Sequence, residues 1–302
     1  MDFLATMKHN ITLGADPEFH LMRGGRVVSA LKALEYRDKH NPIDLKDGMK
    51  MYADNALIEC AFPPMPTVAE MMVHMRNVFV RMQEQLGAEF SLLPKAAVMY
   101  DPAELSDVEV WESGCNPNFN AYTGEANLPA DFTNELRTGS FHVHIGHPSI
   151  QSDPAPKGKA LVLNDAQKIA IKLMDIIVGC ASIVFDQDDS ASLRRSLYGR
   201  AGECRPTPYG IEYRVLGPWA LTAPVTTEIV WDLAAYATQI IEDGYATEVI
   251  DSVGETWAQL AINGPDKDSA RMVLKRAGLG WKMLERINHR FELGTFNENW
   301  AI

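Results

Sequence analysis

The sequence predicts a mixed α+β protein whose β-sheet is largely antiparallel. Three observations carry that reading. Short strand-like runs bounded by Gly, Pro or Asp crowd the first 65 residues and return mid-chain. Helical periodicity fills the stretches between and after them. No Gly-rich phosphate loop of the Walker or dinucleotide type is present, so neither of those nucleotide folds is supported.

The strand-like runs begin with ITLGADPEFHLM, GRVVSA and ALIECAF. Thr67 and Glu70 then form a capping-box pattern. Behind it Val68, Met71, Met72, Met75, Phe79 and Met82 recur at helical spacing, the mark of a core-facing stripe. AAVMY at 96–100, SFHVHIG at 140–146 and the pair around GECR and IEYRVL at 202–216 read as further strands. The segments 101–137 and 147–164 are mostly irregular, and QSDPAPKGK at 151–159 is the one linker-like piece. Asn164 with Gln167 can cap a helix carrying IAIKLMDIIVGCASIVF at 169–185. Lys172 and Asp175 interrupt that run, and it falls short of the roughly 20 apolar residues a spanning helix needs. It reads as a core helix. Residues 223–242 form an amphipathic helix, and the chain from about 245 onward is mainly helical. One domain over residues 1–302 is expected, with 11–220 carrying the motifs and 221–302 completing it with helices.

With 302 residues, 46% of them apolar, the chain can bury a sizeable core. A formal charge of -12 argues against a general nucleic-acid or anionic-membrane surface. The amino terminus lacks the basic start and apolar core of a secretory signal, and Cys60, Cys115, Cys180 and Cys204 are widely spaced without a CxxC pair. A cytoplasmic protein with reduced thiols is expected. Oligomeric state is not legible.

Residues i and i+2 of a strand share a face, so polar pairs at that spacing inside apolar runs stand beside one another. Five segments place polar residues on one strand face: Asp16 with Glu18, His142 with His144, Glu203 with Arg205 and Glu212 with Arg214 two apart, and Asn55 with Glu59 four apart. Each pair alone could be a solvated strand face. Glu59, however, is flanked by ALI and CAF, and His142 by Phe141 and Val143, and acids in such runs are rare unless paired or bound to metal. Neighbouring one another in a sheet, the five would line a polar cleft.

Carboxylates with one imidazole suit Mg²⁺ or Mn²⁺ better than Zn²⁺, and Glu18, Glu59, Glu203 and Glu212 lead as ligands. Arg205 and Arg214, interleaved with those acids, offer planar donors for phosphate or carboxylate oxygens. Between 194 and 214 five Arg and two Glu give a local +3. Acids for a metal and arginines for an anion are what a nucleoside triphosphate with its Mg²⁺ requires. Arg194, Arg195 and Arg200 could equally form surface salt bridges. His142 and His144 also leave a zinc metallohydrolase open, although HExxH is absent. GxSxG is absent too, so a serine nucleophile has no support.

The strings LGADPEF, DNALIECAFPP, RTGSFHVHIGH and YGRAGECRPTPYGIEYRVLGP resemble the phage-type carboxylate-amine ligase family, which is grouped with the glutamine synthetase and glutamate-cysteine ligase fold. The resemblance runs over roughly residues 11–220. It implies a curved, largely antiparallel sheet with helices on its outer face, whose concave face holds ATP and two or more Mg²⁺ or Mn²⁺ ions. It also implies a reaction in which a substrate carboxylate takes the γ-phosphoryl group and an amine captures the acyl phosphate as an amide. By motif, Glu18, Glu59, Glu203 and Glu212 would hold metal, joined by His142 or His144 at a metal or phosphate, while Arg205 and Arg214 would neutralise the phosphoryl group. Glu59 thereby also counts among the catalytic residues, and Arg195 and His144 among those facing the nucleotide. Asp16 matches an acid of related ligases, but Pro17 could twist it away from Glu18. Asp54 is set down as a candidate general base. The expected partners are a small-molecule or peptide carboxylate and an amine, in a host cytoplasm if the chain is phage-encoded. A guanidino kinase of the same fold and a catalytically inactive nucleotide-binding protein are the remaining alternatives.

Overall fold

The computed structural model of the chain describes residues 11–107, 118–127, 135–155, 157, 159–279 and 296–302. Cys115 and part of the irregular stretch around it lie outside the described residues, as does part of the region expected to be helical near the carboxy terminus.

The chain enters a 12-residue strand, β1 (Thr12–Arg23), followed by β2 (Arg26–Val28), a single helical turn α1 (Ala30–Ala33), β3 (Ile43–Asp44), β4 (Lys50–Asp54) and β5 (Leu57–Ala61). Helix α2 (Val68–Leu86) leads to β6 (Phe90–Leu93), β7 (Ala97–Met99), β8 (Phe119–Asn120), β9 (Leu136–Thr138) and β10 (Phe141–Gly146). Helix α3 (Asp165–Met174) passes through one π-helical segment, Asp175–Gly179, into α4 (Cys180–Phe185), and α5 (Ala191–Leu197) follows. The hairpin β11 (Glu203–Thr207) and β12 (Gly210–Tyr213) precedes α6 (Pro224–Glu242), α7 (Ala246–Val253), α8 (Glu255–Asn263), α9 (Lys267–Arg276) and α10 (Phe296–Trp300).

The main sheet runs β3-β4-β5-β1-β10-β12-β11-β8, with every neighbouring pair antiparallel. The α+β, largely antiparallel expectation is met. Strand β1 is long enough to serve two neighbourhoods, pairing β10 through residues 12–17 and β2 and β6 through residues 20–23.

Alternation in these strands sorts side chains by chemistry. On one face Phe19 meets Phe79 of α2 with ring centroids 5.4 Å apart, and Phe141 meets Trp231 of α6 at 5.6 Å. This is the helix-covered face, and Met71, Met75 and Met82 are buried against it as the stripe predicts. The opposite face of β1, β5, β10, β11 and β12 carries the acids, imidazoles and guanidinium groups.

Both predicted capping boxes form their cap bonds. Thr67 accepts from the Glu70 N–H at 3.2 Å, and Asn164 accepts from the Gln167 N–H at 2.9 Å while Gln167 accepts back at 3.2 Å. Three local expectations change. Asn55 does not share a strand face with Glu59, because it occupies the β4–β5 turn at φ 55°, a left-handed position Asn tolerates. The apolar run 169–185 is not one regular helix, since the π segment interrupts it at Asp175. GRVVSA yields only three strand residues before the chain turns into α1.

Candidate functional site

Register decides which polar pairs meet. Across the sheet Tyr52 of β4 lies opposite Glu59 of β5, Glu59 opposite Glu18 of β1, Asp16 opposite His142 of β10, His144 opposite Glu212 of β12, and Glu212 opposite Arg205 of β11. All of these but His144 meet at a cavity of about 180 Å³ lined by Asp16, Glu18, Lys39, Tyr52, Asp54, Glu59, His142, Arg205, Glu212 and Arg214. Pro17 does not separate Asp16 from Glu18, for both line it.

The cavity has two poles. At one, carboxylate oxygens of Glu18, Asp54 and Glu59 lie within 4.8 Å of one another. Two acids directly opposite on adjacent strands repel, and the chain shows the cost. Burial, and then the Asp54 charge, push Glu18 up to about 8. Burial, then Asp16, Asp54 and Glu18, hold Glu59 well above the usual carboxylate range, although Tyr52 donates a 2.5 Å hydrogen bond to it. Burial likewise raises Asp54, against the pull of Lys39, Arg214 and Arg205.

At the other pole Glu212 accepts from Arg205 at 2.9 Å and from Arg214. Arg214 also donates to the Tyr198 hydroxyl, and its guanidinium stands 5.2 Å from the Tyr198 ring centroid. His142 sits between the poles, its Nδ1 3.7 Å from Glu18 and 3.6 Å from Glu212, too far for strong hydrogen bonds. Burial, and then the charges of Arg214, Arg194 and Arg205, keep this imidazole neutral with a pKa well below the ordinary value, so it can act as a ligand.

His144 belongs to a second group. Its Nε2 is 2.8 Å from Asp16 and its Nδ1 2.6 Å from the Tyr209 hydroxyl. Burial would lower it, but the Asp16 carboxylate outweighs burial and raises it. For Asp16, His144 outweighs burial in the other direction and lowers it. Asp16, His144 and Glu212 also present ligand atoms within 4.8 Å of one another. His142 joins neither of these clusters, so among the described residues His142 and His144 do not combine as one zinc chelate.

Three expected site residues do not line the cavity: His144, which touches it through Asp16, and Glu203 and Arg195, which stand apart. Glu203 begins β11, where its carboxylate accepts from the Gly199 N–H at 2.7 Å and closes the turn before the strand. Arg195 lies buried on α5, its guanidinium 3.7 Å from Asp186. Neither lines the cavity. The structure adds Tyr52, Lys39 and Tyr198, and places Asp54 with Glu18 and Glu59. Tyr52 and Asp54 leave only a short trace in the sequence, the five-residue alternation of KMYAD, whose Met51 and Ala53 are buried on the other face. Nothing in the local sequence around Lys39 or Tyr198 announces them.

The donor set fits divalent cations. Hard cations take carboxylate oxygens and tolerate one imidazole, and carboxylates raised by burial and then by one another's charge are what a cation would relieve.

No family model matches the chain, and no curated protein sequence does. Among solved structures, one of GmaS without ligand aligns over 96% of this chain and 68% of its own, at TM-score 0.44 and 12% identity. A glutamine synthase homologue aligns over 96% and 70%, at TM-score 0.36 and 10% identity. A GmaS/ADP complex aligns over 93% and 70%, at TM-score 0.27 and 10% identity.

Proposed function

We propose that this chain is an ATP-dependent carboxylate-amine ligase of glutamine synthetase-like fold, acting as one catalytic unit. The single observation that carries the reading is the two-pole cavity, with Glu18, Asp54 and Glu59 facing Arg205 and Arg214 across His142. Joining an unactivated carboxylate to an amine needs a phosphoryl donor, and two anions must approach each other first. The arginine pole lowers that repulsion. A cavity of about 180 Å³ is small beside the roughly 300–1,000 Å³ of ordinary ligand pockets, so it would take the reacting end of the nucleotide and not the whole of it.

Glu18 and Glu59, and separately Asp16, His144 and Glu212, would hold Mg²⁺ or Mn²⁺, which when bound neutralise the triphosphate, leaving Asp54 free to take a proton. Arg214, fixed by Glu212 and Tyr198, and Arg205, fixed by Glu212, would orient the transferring phosphoryl group so that the substrate carboxylate attacks in line. The acidic pole would draw a cationic amine and accept its proton at Asp54, and the freed nitrogen would attack the acyl carbon of the acyl phosphate as its C–O bond to phosphate breaks and inorganic phosphate leaves. The substrates would be a small-molecule or peptide acid and an amine.

Purified protein with Mg²⁺ and ATP should release phosphate only when a suitable acid and amine are both present, with an amide found by mass spectrometry. Glu59→Gln should lower turnover by two orders of magnitude or more. A stable phosphorylated guanidine and no amide would mark a guanidino kinase instead. Against that second reading, burial raises the thiols of Cys60, Cys180 and Cys204, so none of these three is a reactive thiolate. Absence of ATP binding, together with cation binding unchanged in Glu59→Gln, would sink the ligase reading.

A further inference from the structure

Among the described residues the hairpin β11–β12 brings Arg205, Glu212 and Arg214 to the cavity, and besides its ladder to β10 and the bond from Arg214 to Tyr198 further groups anchor it to the rest of the protein. The helix beneath it does so at both ends. Gln167, fully buried in the first turn of α3, donates to the Gly210 carbonyl at 2.8 Å, where the hairpin reverses. Eight positions on, Asp175 opens the π segment and reaches the other end. Its Oδ2 accepts from the Gly202 N–H at 2.6 Å, one residue before β11, and its Oδ1 accepts from the Tyr213 hydroxyl at 2.6 Å, at the end of β12.

The fit is close on every side. Gly179, at the other end of the π segment, leaves the space Tyr213 uses, for a Cβ there would lie 2.5 Å from the hydroxyl. The Tyr122 hydroxyl faces the same carboxylate. Gly202 is held in a left-handed conformation at φ 82°, and a Cβ on it would meet Tyr122 at 2.7 Å and Asn120 at 2.8 Å. A carboxylate with no solvent exposure in an apolar helix is costly, and that cost is offset here by bonds to the two strands flanking the site. Burial pushes Asp175 up to about 7, and a protonated carboxyl can still accept both bonds.

We infer that Asp175 is a positioning residue for the cavity, setting the register and depth of β11–β12, and hence of Glu212, Arg214 and Arg205, through Gly202 and Tyr213. The inference rests on the ligase reading only in taking the cavity as a cation and nucleotide site. Removing an outer partner of a metal ligand typically costs about 10- to 100-fold in affinity or activity.

The test compares Asp175→Leu, Asp175→Asn and Tyr213→Phe with the wild type. Mn²⁺ affinity in the presence of a non-hydrolysable ATP analogue is read by electron paramagnetic resonance, and amide exchange is followed at Gly202 and along β11. Asp175→Leu should lose about 10- to 100-fold in Mn²⁺ affinity and exchange faster at Gly202. Asp175→Asn should restore both, because its oxygen can accept from Gly202 while its amide donates to Tyr213. A folded Asp175→Leu with wild-type affinity, or an Asn variant as impaired as Leu, overturns the inference. If Asp175→Leu does not fold, Tyr213→Phe decides: a smaller loss of affinity with faster exchange upholds the tether, and wild-type behaviour overturns it. Should the wild type bind no Mn²⁺, the ligase reading fails on its own, and amide exchange alone then judges the tether: faster in Asp175→Leu supports it, unchanged removes it.

Discussion

Glu212 is fully buried with two guanidinium groups on it, and those two bonds are not equal. Arg214 is buried, whereas the Arg205 side chain retains 21% exposure. Removing one partner of a buried pair leaves an uncompensated charge and costs about 3–5 kcal/mol, whereas partly exposed pairs are worth about 1 kcal/mol or less. Arg214→Ala should therefore destabilise the protein several times more than Arg205→Ala in urea unfolding. Equal losses would show that Arg214 is not the main counter-charge of Glu212. Both variants should nonetheless abolish phosphate release, since each removes a donor from the anion pole.

At the scale of elements, the α3 amino terminus combines a cap with a clamp. Asn164 is partly exposed and serves the first turn, while Gln167 returns the cap bond and also reaches Ile150, Ser152 and Gly210. Asn164→Ala should cost about 1 kcal/mol of stability, the usual worth of a cap, with little effect on cation binding. Gln167→Ala should cost more and loosen the hairpin turn, seen as faster amide exchange near Gly210. The caps were readable because a cap bond spans three residues. The clamp was not, because Gln167 and Gly210 are 43 positions apart.

For the molecule as a whole, the acidic pole makes stability depend on cations and on pH. A cation that binds only the folded chain adds about 2.7 kcal/mol at one hundred times its dissociation constant. Mn²⁺ should thus raise the thermal midpoint of the wild type, and Glu59→Gln should blunt that rise. The pH term of Asp175 has the opposite sign to the usual salt-bridged acid. Its pKa is raised by burial from 3.8 to about 7, so the folded state holds the proton more tightly than the unfolded state. Its contribution is full below pH 3.8, declines as pH rises toward 7 and is lost above. Relative to Asp175→Asn, the wild type should lose on the order of 4 kcal/mol across that window in chemical unfolding, at about 1.4 kcal/mol per pH unit. A pH-independent difference would show that the carboxyl is not buried as described.

Sequence alone determined what depends on near neighbours: the β1, β5, β10 and β11–β12 strands, the α2 and α3 caps, the buried Met stripe, and the pairing of Asp16 with Glu18 and of Glu212 with Arg214 on one face each. Alternation and capping are local rules, so spacing along the chain suffices. Tertiary structure decided which pairs meet. Cross-strand register put Glu18 against Glu59 and divided His142 from His144, and β4, too short and mixed to stand out, supplied Tyr52 and Asp54. It also withdrew Glu203 and Arg195 from the cavity, toward Gly199 and Asp186. Side chains that share a face can still bond in different directions, and the choice falls to partners brought near only when the chain closes on itself.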